Sequence, residues 1–223
     1  MPRCLPVRAT EGSVHVWRAD LAAVGDEMGE LLCAEEHERA LQIRDAHKRR
    51  LWMRSRGVLR VLLARYVDGD PRTLRFTLGP RGKPALRDRV GLAGGGGDLH
   101  FNLSHSGTIA LYAVTAGCEV GIDVEVPRRQ IDELAIAERV LGQEQARRLA
   151  DLDPQARTRE FLHAWVAREA AAKCHGTGLG TAPHGDLPAA NLWTAELDAG
   201  PDAIAALAVE GGRCELRYWE WCS

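Results

Sequence analysis

Between Ser13 and Arg18 apolar and polar residues alternate, with Val14 and Val16 on one side, which predicts a half-buried strand. The period then lengthens. From about Glu35 to Tyr66 the spacing is helical, and Leu51, Trp52, Val58, Leu59, Leu62, Leu63 and Tyr66 fall on one broad apolar face. Short strands are predicted near 74–78, 99–103 and 109–115, and a further strand over 119–126. Helices near 131–141 and 143–149 come next, and strands near 192–197, 204–209 and 214–221 close the chain. Between them lies a helix with strong end signals: Asp153 as N-cap, Pro154 at the first helical position and Gly176 as the stop. Each half therefore reads as a helix on a small, mostly antiparallel sheet, an α+β pattern without an internal sequence repeat. The glycine run 94–97 reads as a flexible hairpin loop, because no helix start follows it to receive a phosphate.

Two carboxylates interrupt this pattern in Gly121-Ile122-Asp123-Val124-Glu125, although acidic residues are depleted in strands. Side chains at i and i+2 leave a strand on one face, so Asp123 and Glu125 converge while Ile122 and Val124 face the core. A convergent pair of carboxylates suits a hard divalent cation; alone, it equally describes an acidic edge strand. On the later helix the stripe Phe161, Leu162, Trp165 and Val166 continues by one turn onto Glu169 and then Lys173. A carboxylate on an apolar stripe is costly to desolvate unless something positive meets it, so Glu169 is a candidate third oxygen ligand. The plainer reading is an i, i+4 Glu–Lys pair on a solvated face.

Two polar segments precede these. Phe101-Asn102-Leu103-Ser104-His105-Ser106-Gly107 is an alternating strand running into a turn, with donors suited to an anion. His105 reads as a phosphate contact, a general base or a turn residue bonded to its own backbone. No Gly-x-Ser-x-Gly surrounds Ser104, which argues against a hydrolase nucleophile elbow. Gly79-Pro80-Arg81-Gly82-Lys83-Pro84 lacks the P-loop spacing, and reads either as a rigid turn aiming Lys83 at a phosphate or as a solvated hairpin. On the long helix Arg49, Arg56 and Arg60 share one margin of the apolar face, at the edge of a cleft or on a solvated flank.

In this order and spacing, Gly-Lys-Pro, Phe-Asn-Leu-Ser-His-Ser, Gly-Ile-Asp-Val-Glu and Trp165-x-x-x-Glu169-Ala-x-x-Lys173, followed by Gly176-Thr177-Gly178-Leu179, resemble the 4′-phosphopantetheinyl transferases of the Sfp-like type. The motifs span residues 79–179. The resemblance implies two similar α+β lobes in one chain, a pseudo-dimer divided into residues 1–115 and 116–223, with coenzyme A in the cleft between them. It implies transfer of the phosphopantetheine arm of coenzyme A to a serine of an apo acyl or peptidyl carrier protein, with release of adenosine 3′,5′-bisphosphate. Asp123, Glu125 and Glu169 would hold Mg²⁺ or Mn²⁺, and Glu169 would act as the general base, oriented by Lys173. Lys83, Ser104, His105 and Lys173 would hold the pyrophosphate. Arg49 and Arg56 would hold the 3′-phosphate, with Arg44 and Arg50 as alternates. Arg128, Arg129 and the segment to Val140 are candidates for the carrier surface. One departure is Arg168, where many relatives have Lys, so any phosphate contact there meets a planar fork in place of a point donor.

Composition, 45% apolar and 27% charged, is that of an ordinary globular protein. A formal net charge of −2 argues against a general nucleic-acid binder. The six cysteines include no C-x-x-C pair, which points to reduced thiols and away from a zinc site. Without a signal segment or a membrane-length apolar run, a cytoplasmic protein is expected, and the pseudo-dimer that the resemblance implies suggests a monomer. A hydrolase of the coenzyme A or nucleotide pyrophosphate bond and a non-catalytic coenzyme A binding module are the rival functions. The complete carboxylate trio weighs against the second.

Overall fold

The computed structural model describes residues 9–79, 82–87, 98–127, 132–177 and 191–222. Strand β1 (Ser13–Asp20) is followed by a 3₁₀ helix (Asp26–Leu31), helices α1 (Ala34–Leu41) and α2 (Ala46–Val67), and the hairpin β2 (Phe76–Leu78) and β3 (Pro84–Leu86). Strands β4 (Leu99–Ser106), β5 (Ile109–Ala116) and β6 (Val120–Glu125) lead to helices α3 (Glu133–Val140), α4 (Gln143–Ala150) and α5 (Pro154–His175). Strands β7 (Leu192–Leu197), β8 (Ile204–Glu210) and β9 (Glu215–Glu220) end the described chain. This is the mixed α+β architecture that the hydrophobic pattern predicts.

The first sheet has the order β4-β5-β1-β9, and the second the order β6-β8-β7. All pairings are antiparallel except β1 with β9. The C-terminal strand thus returns to the sheet begun by the first. Helix α2 covers one face of the first sheet through Val58, Leu59, Leu62 and Leu63, which pack with Trp17, Tyr112 and Val114. On the other face Val14 and Val16 meet Ile122, Val124 and Leu207 of the second sheet. Helix α5 covers the far side of that sheet through Val166, Ala170 and Cys174 against Ala206 and Ala208. The layers therefore run helix, sheet, sheet, helix, and α3 and α4 pack on the N-terminal half of α5 around Phe161 and Leu162.

The expected helical region from Glu35 to Tyr66 is two helices. The first ends at Leu41, and Asp45 starts the second: its side chain accepts from the Lys48 backbone N–H at 2.9 Å, a cap that requires extended backbone at Asp45. The ends of α5 match the expectation, since Asp153 accepts from the backbone N–H groups of Gln155 and Ala156, and Gly176 closes the helix at φ +64°. The glycine run 94–97 lies outside the described residues. Among the described residues no helix is long and apolar enough to cross a membrane, and Cys33, Cys118, Cys174, Cys214 and Cys222 are free thiols.

His15 is buried on the helix-facing side of β1, with Nδ1 2.9 Å from the Tyr66 hydroxyl. That hydroxyl accepts from Trp17 Nε1 at 2.8 Å, which leaves its own hydrogen to donate to His15. Burial, reinforced by Arg217, lowers the His15 pKa from 6.5 to about 4. The folded state therefore keeps His15 neutral where the unfolded chain would bind a proton, so its contribution to stability is present above pH 6.5 and is lost as pH falls toward 4. Melting temperatures measured across that interval are expected to fall less steeply for His15→Gln than for the wild type; parallel curves would count against a neutral buried His15.

Candidate active site

Strands β4 and β6 lie side by side, and their contact is built from side chains. Asn102, Ser104 and Ser106 alternate along β4 and so share one face. Asn102 Oδ1 accepts from the Ile122 backbone N–H at 3.0 Å, Ser104 Oγ donates to Asp123 Oδ1 at 2.8 Å, and Ser106 Oγ donates to Glu125 Oε2 at 2.7 Å. Ser106 Oγ also accepts from the Val126 backbone N–H at 3.1 Å. The polar half of the Phe-Asn-Leu-Ser-His-Ser motif therefore holds the acidic strand. Phe101 is buried against the α2 core and His105 is exposed.

Helix α5 brings the remaining groups. Lys173 Nζ lies 2.6 Å from Asp123 Oδ1 and 3.0 Å from Ser104 Oγ, so Lys173, Asp123 and Ser104 form a closed triangle. The approach depends on Gly121. A Cβ there would stand 2.0 Å from the Ala170 carbonyl oxygen and 2.3 Å from the Cys174 nitrogen, so only glycine lets the helix lie this close to β6. Glu169, one turn before Lys173, is half-buried. Burial raises its pKa to about 7; Lys173 and Arg168 oppose the shift, while Asp123 and Glu125 add to it.

Beside this triangle opens a cleft of about 440 Å³, with Arg39, Trp52, Arg56, Ser104, His105 and Lys173 on its walls. Three cations and a histidine around one space suit a multiply charged anion. Arg56 is fixed by Glu36 at 3.1 Å, and the buried Arg60 meets the other oxygen of Glu36 at 2.7 Å. Burial acts to raise the Glu36 pKa, but the two arginines hold it below the ordinary carboxylate range. Arg60 also donates to the carbonyls of Pro71 and Leu74, which gives it a structural post.

The profile of the 4′-phosphopantetheinyl transferase superfamily matches residues 119–211, which contain β6, α5 and β8. Over these residues the chain is similar to this superfamily. The transferase HetI of a Nostoc species is 29% identical over 222 residues, spanning 93% of this chain and 92% of the relative. Sfp of Bacillus subtilis is 30% identical over 122 residues, 55% of this chain and 50% of its own. AcpT of Salmonella typhimurium is 35% identical over 118 residues, 52% of this chain and 56% of the relative.

Of the superfamily residues expected from sequence, Asp123, Glu125, Ser104 and Lys173 come together as described, with Glu169 electrostatically coupled to both strand carboxylates. Arg56 and His105 reach the cleft. Arg49 does not line it; its guanidinium donates to the Ile43 carbonyl at 3.1 Å. Arg44 and Arg50 are exposed. Lys83 is bound to Glu119 and to two backbone carbonyls. Arg128 and Arg129 lie outside the described residues, as do Gly178 and Leu179. Arg39 and Trp52 are additions to the cleft. The helical spacing of the α2 face names Trp52, but nothing local marks Arg39, which reaches the cleft only because α1 folds back along α2.

Among the described residues no three His, Cys, Asp or Glu side chains close into a ready-made metal cage. The donor set nonetheless fits a divalent cation at one point. Asp123 Oδ2 is buried without a hydrogen-bond partner, an expensive state for a carboxylate oxygen, and two further carboxylates face the same region.

Gly121→Ala is expected to destabilise the protein by about 1–3 kcal/mol, because a methyl group must push α5 off β6. Urea unfolding measures this, and a midpoint equal to the wild type would mean that the helix does not rest on Gly121.

Proposed function

We propose that this chain transfers the 4′-phosphopantetheine arm of coenzyme A to a serine hydroxyl of an apo acyl or peptidyl carrier protein, as an Sfp-like transferase. The observation that carries the reading is the Lys173–Asp123–Ser104 triangle beside a cationic cleft, with Asp123 and Lys173 on elements that the superfamily profile spans. Two similarly built halves that divide near Ala116 belong to the same reading. Each half sets a 22-residue helix on an antiparallel sheet, and β9 is the strand that crosses back.

Asp123, Glu125 and Glu169 would hold Mg²⁺ or Mn²⁺. When bound, the ion neutralises charge on the pyrophosphate oxygens as a Lewis acid. The protein's own groups do the rest. Arg39 and Arg56 receive the 3′-phosphate in the cleft, and His105 and Lys173 meet the pyrophosphate. The carrier serine oxygen forms a bond to the β-phosphorus as the bond from that phosphorus to the bridging oxygen breaks. Adenosine 3′,5′-bisphosphate leaves with the electron pair. The serine proton passes to Glu169, the carboxylate that α5 sets beside Asp123 and Glu125. Lys173 stands one helical turn from Glu169 and fixes its surroundings. Most of the rate enhancement in phosphoryl transfer of this kind comes from positioning and charge stabilisation.

Incubating the protein with coenzyme A, Mg²⁺ and an apo carrier domain is expected to add one phosphopantetheine by intact mass, and EDTA is expected to abolish the gain. Coenzyme A cleaved without carrier modification would identify a hydrolase instead. Glu169→Gln is expected to lower turnover at least ~10²-fold, the scale of losing one preorganised electrostatic group. Near-normal turnover by a folded variant would remove Glu169 from the chemistry.

A further inference from the structure

The Gly-Lys-Pro lysine is enclosed by protein acceptors. Lys83 Nζ lies 2.5 Å from Glu119 Oε2, 3.0 Å from the Val120 carbonyl oxygen and 2.9 Å from the Cys174 carbonyl oxygen. An ammonium has three N–H donors, and these three acceptors use them all. They belong to different parts of the site. Glu119 and Val120 are at the entry to β6, three residues or so before Asp123, and Cys174 is at the end of α5, immediately after Lys173. The Cys174 carbonyl is one of the last of the helix, where no intrahelical N–H reaches it and the dipole favours a cation. Lys83 itself precedes β3, so a single charge ties the hairpin, the acidic strand and the catalytic helix together. His100 of β4 holds the other oxygen of Glu119 at 3.1 Å, which adds a fourth element.

Glu119 stays ionised in this setting. Burial acts to raise its pKa, but the hydrogen bonds and charges of His100 and Lys83 hold it at about 2. The ion pair is half-sheltered, with side-chain exposures of 17% for Lys83 and 42% for Glu119. The two backbone carbonyls make the tie directional, because an ammonium that meets both must keep β6 and the end of α5 at a set distance.

We infer that Lys83 is a positioning residue, which holds the end of α5 against the start of β6 and thereby places Lys173 and Glu169 opposite Asp123, and that it does not grip a phosphate of coenzyme A. The kinetic part of this inference rests on the transferase reading; the structural tie does not.

Lys83→Met, Glu119→Gln and the double variant test it by thermal unfolding, by calorimetric binding of coenzyme A and by transfer kinetics with an apo carrier domain. Each single change is expected to lower the melting temperature and to lower kcat about tenfold in Lys83→Met, with the Kd for coenzyme A within about threefold of wild type. The double variant is expected to be no worse than Lys83→Met, because both changes break the same tie. A Kd raised tenfold or more by Lys83→Met, with or without Glu119, would make Lys83 a phosphate contact and overturn the inference. A lowered melting temperature with unchanged kcat would reduce the tie to a structural one and overturn it equally. If Lys83→Met does not fold, Glu119→Gln decides: a positioning lysine predicts lower kcat, whereas a phosphate-gripping lysine freed from its partner predicts tighter coenzyme A binding. A wild type that modifies no carrier would end the transferase reading, while non-additive unfolding and unchanged coenzyme A binding would still support the tie.

Discussion

The molecule is organised by the row of side-chain hydrogen bonds from β4 to β6. A continued backbone ladder between these strands would have used the N–H and C=O groups alone and left the carboxylates free to turn to solvent. Here Asn102, Ser104 and Ser106 reach across, and two of the three bonds end on carboxylates. The acidic groups are thereby held at the boundary of the two sheets, with their strand's apolar residues committed to the inter-sheet core. Hydrogen bonds to charged groups are stronger than neutral ones, so the seam is well suited to fix position.

From that seam the electrostatics follow. Asp123 is almost wholly buried, and Lys173 supplies the nearby positive charge that a desolvated carboxylate requires. Glu169 receives less compensation and stands near two further carboxylates, which is why it is raised while Glu36 and Glu119, each facing two basic side chains, are depressed. Four carboxylates thus differ in their charge compensation. The least compensated of them, Glu169, stands beside Asp123 and Glu125 and is poised near neutrality.

Close approach is the second requirement, and small residues meet it. Gly121 and the run Ala170-Ala171-Ala172 let α5 descend onto β6 until backbone nearly touches backbone, and Gly57 plays the same part where α2 meets the Met28 carbonyl. A larger residue at either glycine would separate a helix from what it rests on. In the second half that separation would act directly on the distance between Lys173 and Asp123.

The periodicity of the chain determined its elements because strand and helix periods, caps and turn residues are local properties. The ends of α5, the alternation in β1 and the shared face of Asp123 and Glu125 are all readable from neighbours in sequence, and so is the ordered set of motifs. The break at Asp45 was harder, since a cap inside a continuous apolar pattern competes with helix propensity on nearly equal terms. Partnership between distant residues was decided only by the tertiary structure. Lys83 and Arg56 are both cations on plausible anion-binding segments, yet one is enclosed by three acceptors while the other faces the cleft. Arg39 enters the cleft and Arg49 does not, although only Arg49 lies on the helix whose pattern pointed there. A side chain's charge and reach are written in the sequence, but which partner it meets depends on how separate elements pack, and no local rule carries that information.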